Sequence, residues 1–442
     1  MKRALIIFTR IPEAGKTKTR LMPRFDAEEC AKLHICMLLD LATEVKSVEA
    51  DVFVFYTGGN LSLLKNIFGN QMQYFEQQGE SLGDRMYDAI RDVLNRGYDQ
   101  AVLVGTDIPT LSAEIINSAF EQIDDNQITM GPTSDGGYYL IGMNKPVKEV
   151  FNLEKFSDSS VWESTAAAAE KAGYKVAKIV EQSDIDEPED IADFRNKIRK
   201  DRKLRNSNAG KMITDSLKIS IIIPTYNEES TIGKMVEQMR PYQSDAEIIF
   251  VDGGSTDKTT EILGNEFKLI KTEKGRAIQM NSAADVATGD VLFFLHCDCE
   301  IPADITGEIR RCMTGNQYGC FGVRFQSNNL FMHTNQALSN FRAFSRGLPF
   351  GDQGIFIDRE LFFKIGKFPE LPVMEDYELS RRLLMRGFKP GRTTNKLIAS
   401  DRRYGKGTFS ILKTEYKLWN YRRQYRKGTD LRDIAKEYKD IR

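Results

Sequence analysis

Apolar and β-branched residues fall in short runs along this chain, and two of those runs stop at an aspartate. Ala101-Val102-Leu103-Val104 leads through Gly105-Thr106 to Asp107, and Val291-Leu292-Phe293-Phe294-Leu295 leads through His296-Cys297 to Asp298. Runs this short and this apolar predict strands buried on both faces, as in a parallel sheet. Further strands are expected at Ala4–Phe8, Val52–Tyr56, Tyr138–Ile141 and Lys175–Ile179, then at Ile219–Ile223, Glu247–Val251 and Lys268–Lys271. Between strands the period changes: Leu82, Met86, Ile90 and Val93 keep helical spacing, as do Leu379 and Leu383. Strands alternating with helices predict an α/β chain with mostly parallel central sheets. Because the cycle restarts after about residue 218, two tandem Rossmann-like domains are expected. Such sheets take their ligands at the carboxyl ends of the strands, where Asp107 and Asp298 stand.

The division is expected as a first domain over 1–200, a linker over 201–217 and a second domain over 218–442. The linker is read from charge (Lys197, Arg199, Lys200, Asp201, Arg202, Lys203, Arg205) followed by small, loop-prone residues at Asn206-Ser207-Asn208-Ala209-Gly210. Past Val291–Leu295 a less regular region is expected, and from about 405 a helical segment that is basic and aromatic. Nine Lys or Arg stand against one Glu between Arg402 and Lys427, interleaved with Tyr404, Phe409, Tyr416, Trp419, Tyr421 and Tyr425. Three readings stay open for it: a helix packed on the second domain, an interfacial segment, or a surface for single-stranded RNA.

Bulk composition narrows the classes. With 442 residues, 41% hydrophobic and 28% charged, the chain has the make-up of a multidomain globular protein. Its 62 basic and 63 acidic residues leave a net charge of −1, so no general attraction to nucleic acid is implied. Six cysteines form no CxxC pair, and Cys297 and Cys299 flank a strand-end residue on opposite faces. With three histidines in the chain, a zinc site is not expected. The start, Met1-Lys2-Arg3-Ala4-Leu5-Ile6-Ile7-Phe8, has an apolar core too short for a signal peptide, and no stretch is long enough to span a membrane. A cytoplasmic protein is expected, with peripheral attachment at the inner face of the membrane as the alternative.

Phosphate-loop readings fail on spacing. Gly15-Lys16-Thr17 has Arg10 where a Walker A loop needs glycine, Gly254–Thr259 has no glycine before Lys258, and there is no GxGxxG. Two other strand ends are richer. Ile221-Ile222-Ile223 breaks at Pro224 into Thr225-Tyr226-Asn227-Glu228, and Ile248–Val251 runs into Asp252-Gly253-Gly254-Ser255-Thr256-Asp257. Hydroxyls, an amide and carboxylates on neighbouring strand ends suit a base edge and a ribose, although helix caps use the same residues. Glu375 and Asp376 open a helix, where a carboxylate serves equally as general base or as dipole-favouring cap.

Together these residues resemble the inverting family 2 glycosyltransferases, whose fold is called GT-A and whose donors are nucleotide sugars. The likeness runs from Ile219 to about Arg403 and includes Pro224–Glu228, Val251–Asp257, Asp298 and Met374–Leu379. Gly275–Asn281 and Gly351–Gly354 are similar to a narrower bacterial branch associated with arsenosugar biosynthesis. By that resemblance Thr225, Glu228, Asp252, Asp257, Arg276, Gln279, Asn281 and Arg402 are expected on the donor. Asp298 is expected on Mg²⁺ or Mn²⁺, Asp376 with Glu375 in catalysis, and Asp352 and Gln353 on the acceptor side. The family's Asp-x-Asp is here His296-Cys297-Asp298, which leaves one carboxylate.

The first half resembles a different family, glycosyltransferase-like and similar to small nucleotidyltransferases (the DUF2064 type). The likeness rests on Ile11–Gly15, Lys18–Leu21, Gly83-Asp84-Arg85, Gly105–Pro109, Asp135-Gly136-Gly137-Tyr138-Tyr139 and Asp184–Asp190. It implies Asp107 and Asp186 as a metal pair. It also places Lys18, Arg20 and Arg85 at a polyphosphate, Asp135, Gly136 and Gly137 at the nucleotide, and Trp162 on the acceptor side. The expectation is therefore a bifunctional enzyme. One half is a metal-dependent glycosyltransferase acting on an unidentified, conceivably lipid-linked acceptor. The other is an NTP-using nucleotidyltransferase, a second glycosyltransferase, or a nucleotide-binding scaffold.

Overall fold

The structure, a computed structural model, describes residues 1–125, 127–152, 161–327, 329–400, 408–429 and 434. Backbone contacts divide the chain into two compact units, Met1–Ile213 and Thr214–Arg442.

The first unit is built on seven strands: β1 (Arg3–Arg10), β2 (Asp51–Thr57), β3 (Gln73–Glu76), β4 (Gln100–Val104), β5 (Gln127–Pro132), β6 (Tyr138–Met143) and β7 (Lys175–Lys178). Their order across the sheet is β3-β2-β1-β4-β6-β5-β7. All neighbours are parallel except β6, which runs antiparallel to both β4 and β5. Alternation sorts the side chains. Leu5, Ile7, Val54, Val102 and Val104 enter one core, and Ala4, Ile6, Phe53, Phe55, Ala101 and Leu103 enter the other. Helices on both faces make continuous apolar strands stable, which is why the runs read so clearly in sequence. The helix Leu82–Asn95 has a capping box formed by Ser81 and Asp84, and it buries Met86, Ile90 and Val93 as its spacing predicts.

The second unit repeats the plan with β8 (Ile219–Thr225), β9 (Ala246–Asp252), β10 (Lys268–Lys271), β11 (Val291–Phe294), β12 (Tyr318–Phe325), β13 (Ile355–Asp358) and β14 (Gly391–Ala399). The order, β10-β9-β8-β11-β13-β12-β14, is that of the first sheet strand for strand. The directions match as well, with β13 antiparallel to β11 and β12 and every other pair parallel. Both units are α/β with mixed, mostly parallel sheets. The region expected to be irregular after β11 in fact holds three strands. Sequence periodicity missed them because Gly319 and Gly322 interrupt the apolar run of β12, β13 has only four residues, and β14 is largely polar.

The expected linker over 201–217 also needs correction. It contains two helices, Arg202–Asn206 and Asn208–Asp215. Asp201 caps the first, and Asp40 accepts from the backbone of Asn208 and Ala209 at the start of the second. Ala209, Met212 and Ile213 are buried with Leu21, Leu33, Phe194 and Ile198. Their i, i+3, i+4 spacing outweighs the charge that precedes them.

Candidate functional site

In the second unit the ends of β8 and β9 form one laced structure. Asn227, in the left-handed region at φ 53°, donates its N–H to Ser255 Oγ at 2.9 Å, and its side-chain oxygen accepts from Thr256 N at 2.9 Å. Glu228 N donates to Thr259 Oγ1 at 2.7 Å, and Glu229 N to Asp257 Oδ2 at 3.2 Å. Asp257 accepts again from Thr259, and these bonds hold its carboxyl below the usual range. Asp252 is buried and accepts from Gly254 N and from Ser255 N and Oγ. The carboxylates at these strand ends shape the loops as well as line them.

Three residues expected on the donor prove to be internal struts. Thr225 is buried and donates to Val251 O at 3.3 Å. Gln279 is buried, and its amide donates to Thr225 O at 2.8 Å and Val251 O at 2.7 Å, joining β8 to β9. Asn281 bonds Phe368 in both directions, at 2.8 and 3.1 Å. Gln353, expected on the acceptor side, is fully buried and accepts from Phe350 N and Arg342. The reason is common to all four: strand-end loops between close-packed elements leave backbone groups that need a partner, and a side-chain hydroxyl or amide supplies it.

Asp376 stands differently. The helix Glu375–Met385 starts at Met374, whose φ of 69° turns the chain sharply into the first turn. Asp376 Oδ2 accepts from Gly351 N at 2.7 Å, and its carboxylate lines a small crevice with Arg276, His296, Gly351 and Glu375. Glycine at 351 leaves room for two side chains. A Cβ there would sit 2.7 Å from His296 Nε2 and 3.3 Å from Asp376 Oδ2, so His296 and Asp376 close on the same backbone atom. Glu375 is buried and pairs with Arg276 at 3.3 Å. Burial pushes its pKa up, Arg276 pulls it back in part, and neighbouring Asp376 pushes it up again. Glu375 thus orients Arg276, and Asp376 is the accessible carboxylate of the two.

Asp298 lines a separate cleft with Ser230, Thr231, Lys234, Gln326 and Ser400. The loop His296-Cys297-Asp298 therefore has one end in each depression. Asp298 and Asp352 both lie beside Cys299: burial first, and then these two carboxylates, push its thiol far up. All six cysteines are free thiols. Glu228 accepts from Thr231 Oγ1 at 2.5 Å, which places it at the edge of the Asp298 cleft. Arg402 lies outside the described residues.

In the first unit the site gathers at the end of β4. Lys18, left-handed at φ 52°, is buried, and its ammonium pairs with Asp107 Oδ1 at 2.6 Å and donates to Ile185 O. Lys18 therefore holds Asp107 instead of facing open solvent. Burial works against an ionised Asp107, but Lys18 and His34 outweigh it, so its pKa falls below the usual carboxylate range. His34, which the sequence did not single out, sits 3.6 Å from Asp107 and near Thr9 and Thr106. Burial lowers its pKa to about 4, so the ring is neutral at pH 7. Ile185 N donates to Asp107 O at 3.1 Å, which brings the loop bearing Asp186 alongside, and Asp186 pairs with Arg20 at 2.8 Å. Among the described residues no group of three or more His, Cys, Asp or Glu is set to hold a metal. Asp107 pairs with Lys18 and Asp186 with Arg20.

The Asp135-Gly136-Gly137 turn precedes β6. Asp135 accepts from Thr133 Oγ1 and from Gly137 N, and Gly136, at φ 91°, accepts from Trp162 N at 2.8 Å, so Trp162 meets that turn. Asp184 was also missed. Burial, and then Asp135, raise its pKa to about 6, which puts the 184–186 loop beside the same turn. Arg85 donates to Gly79 O at 3.0 Å in the first turn of its helix, and no contact ties it to Asp107.

Comparison with known proteins divides the chain in the same way. Residues 220–368 match the profile of "Glycosyl transferase family 2", and residues 40–158 match "Uncharacterized protein conserved in bacteria (DUF2064)". A Haemophilus influenzae protein given as an uncharacterized glycosyltransferase is 26% identical over 217 residues, covering 46% of this chain and 86% of that protein. A PGL/p-HBAD biosynthesis glycosyltransferase of Mycobacterium bovis is 27% identical over 218 residues, covering 45% and 81%. A crystal structure from Desulfovibrio desulfuricans G20, given as a nucleotide-diphospho-sugar transferase, is 28% identical, covers 48% of this chain and 94% of that one, and has a TM-score of 0.45. One stretch of the chain thus matches the DUF2064 model and a later stretch matches the family 2 glycosyltransferase model.

Proposed function

We propose that the second unit transfers a glycosyl group from a nucleotide-sugar donor to a hydroxyl acceptor with inversion, using Asp376 as general base. The observation that carries this is the placement of Asp376 beside Gly351 and His296, in a crevice with Arg276, in the unit whose residues 220–368 match the family 2 model. Asp376 takes the proton of the acceptor hydroxyl. The acceptor oxygen bonds to the anomeric carbon from the face opposite the leaving group, and the C–O bond to the diphosphate breaks with its electron pair going to the diphosphate. Arg276, held by Glu375, supplies positive charge on the donor side. Asp298 offers one hard carboxylate oxygen, and Asp352 lies nearby across Cys299. Asp298, with Asp352, would hold Mg²⁺ or Mn²⁺, and the ion would supply positive charge for the departing diphosphate.

The first unit is read as a nucleotide site in which Asp107 and Asp186 face the phosphates or their cation, with Arg20 beside them and Lys18 as the internal support of Asp107. Nucleotidyl transfer from an NTP to a phosphorylated partner is the activity its family likeness favours. A non-catalytic nucleotide-binding scaffold is the rival, and turnover separates the two. The arsenosugar association adds one acceptor class to try, and no side chain in the crevice specifies arsenic.

The test uses the full chain with Mn²⁺, a panel of nucleotide sugars and simple hydroxyl acceptors, with product configuration read by NMR. The expected product has the anomeric configuration opposite to that of the donor. Retention would overturn the single-displacement mechanism. Pyrophosphate release from NTPs in the same preparation tests the first unit, and turnover of nucleotide sugars alone would remove nucleotidyl transfer.

A further inference from the structure

Among the described residues, every exposed large aromatic side chain lies on two helices of the second unit. Phe331 and Phe341 stand on the helix Leu330–Arg346, and Phe409, Tyr416 and Trp419 on the helix Thr408–Arg426. Leu330, Leu338 and Leu412 join them, with Leu330 at 76% and Phe409 at 80% exposure. Such residues scattered singly need no explanation, but here they form stripes. On the C-terminal helix Phe409, Leu412, Tyr416 and Trp419 follow i, i+3, i+7, i+10, which is one face. Ile411, Leu418 and Tyr421 on its other side are buried, so the helix already has its packing partner and this stripe is surplus. Leu330, Leu338 and Phe341 share one face of the other helix, and the two helices touch.

Charge says what covers this face. Arg423 and Arg426 continue the C-terminal stripe, Lys413 flanks it, and Arg346 is exposed at the end of the other helix. The only acidic residue in the two helical sequences is Glu415. A second copy of the chain meeting this face across a two-fold axis would set basic residues against basic residues. Aromatic side chains edged by Lys and Arg suit instead the interface of an anionic bilayer, where rings enter the headgroup layer and cations meet lipid phosphates.

We infer that this two-helix face docks the enzyme on anionic membrane surfaces. The docking helix connects directly to the crevice. Tyr425 OH donates to Glu378 Oε2 at 2.7 Å on the helix that bears Asp376. The rings of Tyr425 and Tyr377, and of Tyr377 and Phe350, lie 5.9 Å apart, with Phe350 next to Gly351. A membrane held on this face would present hydroxyl acceptors in the headgroup layer to a site joined to it. That clause rests on the transferase reading, whereas the docking itself is measured without turnover.

The experiment is co-sedimentation of the full chain with vesicles of phosphatidylcholine plus phosphatidylglycerol, against vesicles of phosphatidylcholine alone. The chain is expected to bind the anionic vesicles and to be released by salt. In a Trp162→Phe background Trp419 is the sole indole, and its emission should shift to the blue on binding. Phe409→Ser, Tyr416→Ser and Trp419→Ser together should weaken binding by at least about tenfold, with thermal unfolding unchanged because all three are exposed. No binding to the anionic vesicles, or equal binding by the triple variant, overturns the inference. So does a dimer in light scattering that the same substitutions dissociate, because the face would then join two copies.

Discussion

The two units share a seven-strand order and differ in what they keep at the strand ends. At the end of β4 in the first unit, Asp107 is three residues past the strand and is paired with the buried ammonium of Lys18. At the end of β11 in the second, Asp298 is four residues past the strand and belongs to a loop whose other end, His296, closes on Gly351 beside Asp376. The turn before the antiparallel strand differs too. Asp135-Gly136-Gly137 in the first unit meets Trp162, whereas Phe350-Gly351-Asp352 in the second leads to the helix of Asp376. The framework is fixed by apolar alternation, and the chemistry by a few polar residues on loops. The aspartates that end the two strands are neighbours in plan and distinct in role.

The largest expected effect separates the units by reaction. Asp376→Asn should lower glycosyl transfer by roughly 10²–10⁴-fold while calorimetry still detects the donor. Unchanged turnover would take the base assignment away from Asp376. Gly351→Ala comes next. Its methyl would enter the space between His296 and Asp376, and a displaced base should reduce kcat by about 10²-fold with donor affinity nearly intact. Loss confined to KM would point to a donor-binding role for that loop.

Effects on stability are smaller and distinguish buried supports from ligand contacts. Lys18→Met removes the partner of Asp107, and Gln279→Ala takes one donor from each of two strand-end carbonyls. Each should cost about 1–3 kcal/mol in denaturant unfolding. For Asp107 the sign is set by its lowered pKa. The pair stabilises fully above pH 3.8 and is lost as pH falls through the lower folded value, so Lys18→Met should matter less in acid. The smallest effect is at Glu378. Burial opposes its ionisation, but Arg381 and Tyr425 outweigh it and hold its pKa below the usual range. Its contribution is present above pH 4.5 and fades below that, and Glu378→Gln should remove about 1 kcal/mol at pH 7 and little in strong acid. Equal losses at both pH values would show that the carboxylate charge is not what Tyr425 and Arg381 bind.

How much of this was legible in sequence follows from the physics of each element. Buried strands such as Ile219–Thr225 announce themselves because both faces are apolar. Tyr318–Phe325 is equally buried but is interrupted by Gly319 and Gly322, which weakens the run. The helix start at Glu375-Asp376 was legible because Leu379 and Leu383 keep helical spacing after it. Gln279 and Asn281 show what a sequence leaves open: amide side chains look the same whether they face a ligand or a backbone carbonyl, and here both bond backbone. His34 lay beyond reach for the opposite reason. It contacts Asp107 from a helix about seventy residues earlier, and no local pattern records that pairing. The helices over 202–215 are hidden in sequence because the charged run at 197–205 precedes the short Ala209, Met212 and Ile213 spacing.

The most direct test crosses the two sites in one preparation: nucleotide binding and glycosyl transfer measured side by side for Asp107→Asn and Asp376→Asn in the full chain. The account predicts that Asp107→Asn weakens NTP binding and leaves transfer from the nucleotide sugar in place. Asp376→Asn should abolish transfer and leave both nucleotides bound. Loss of transfer in Asp107→Asn, or normal transfer in Asp376→Asn, would contradict it.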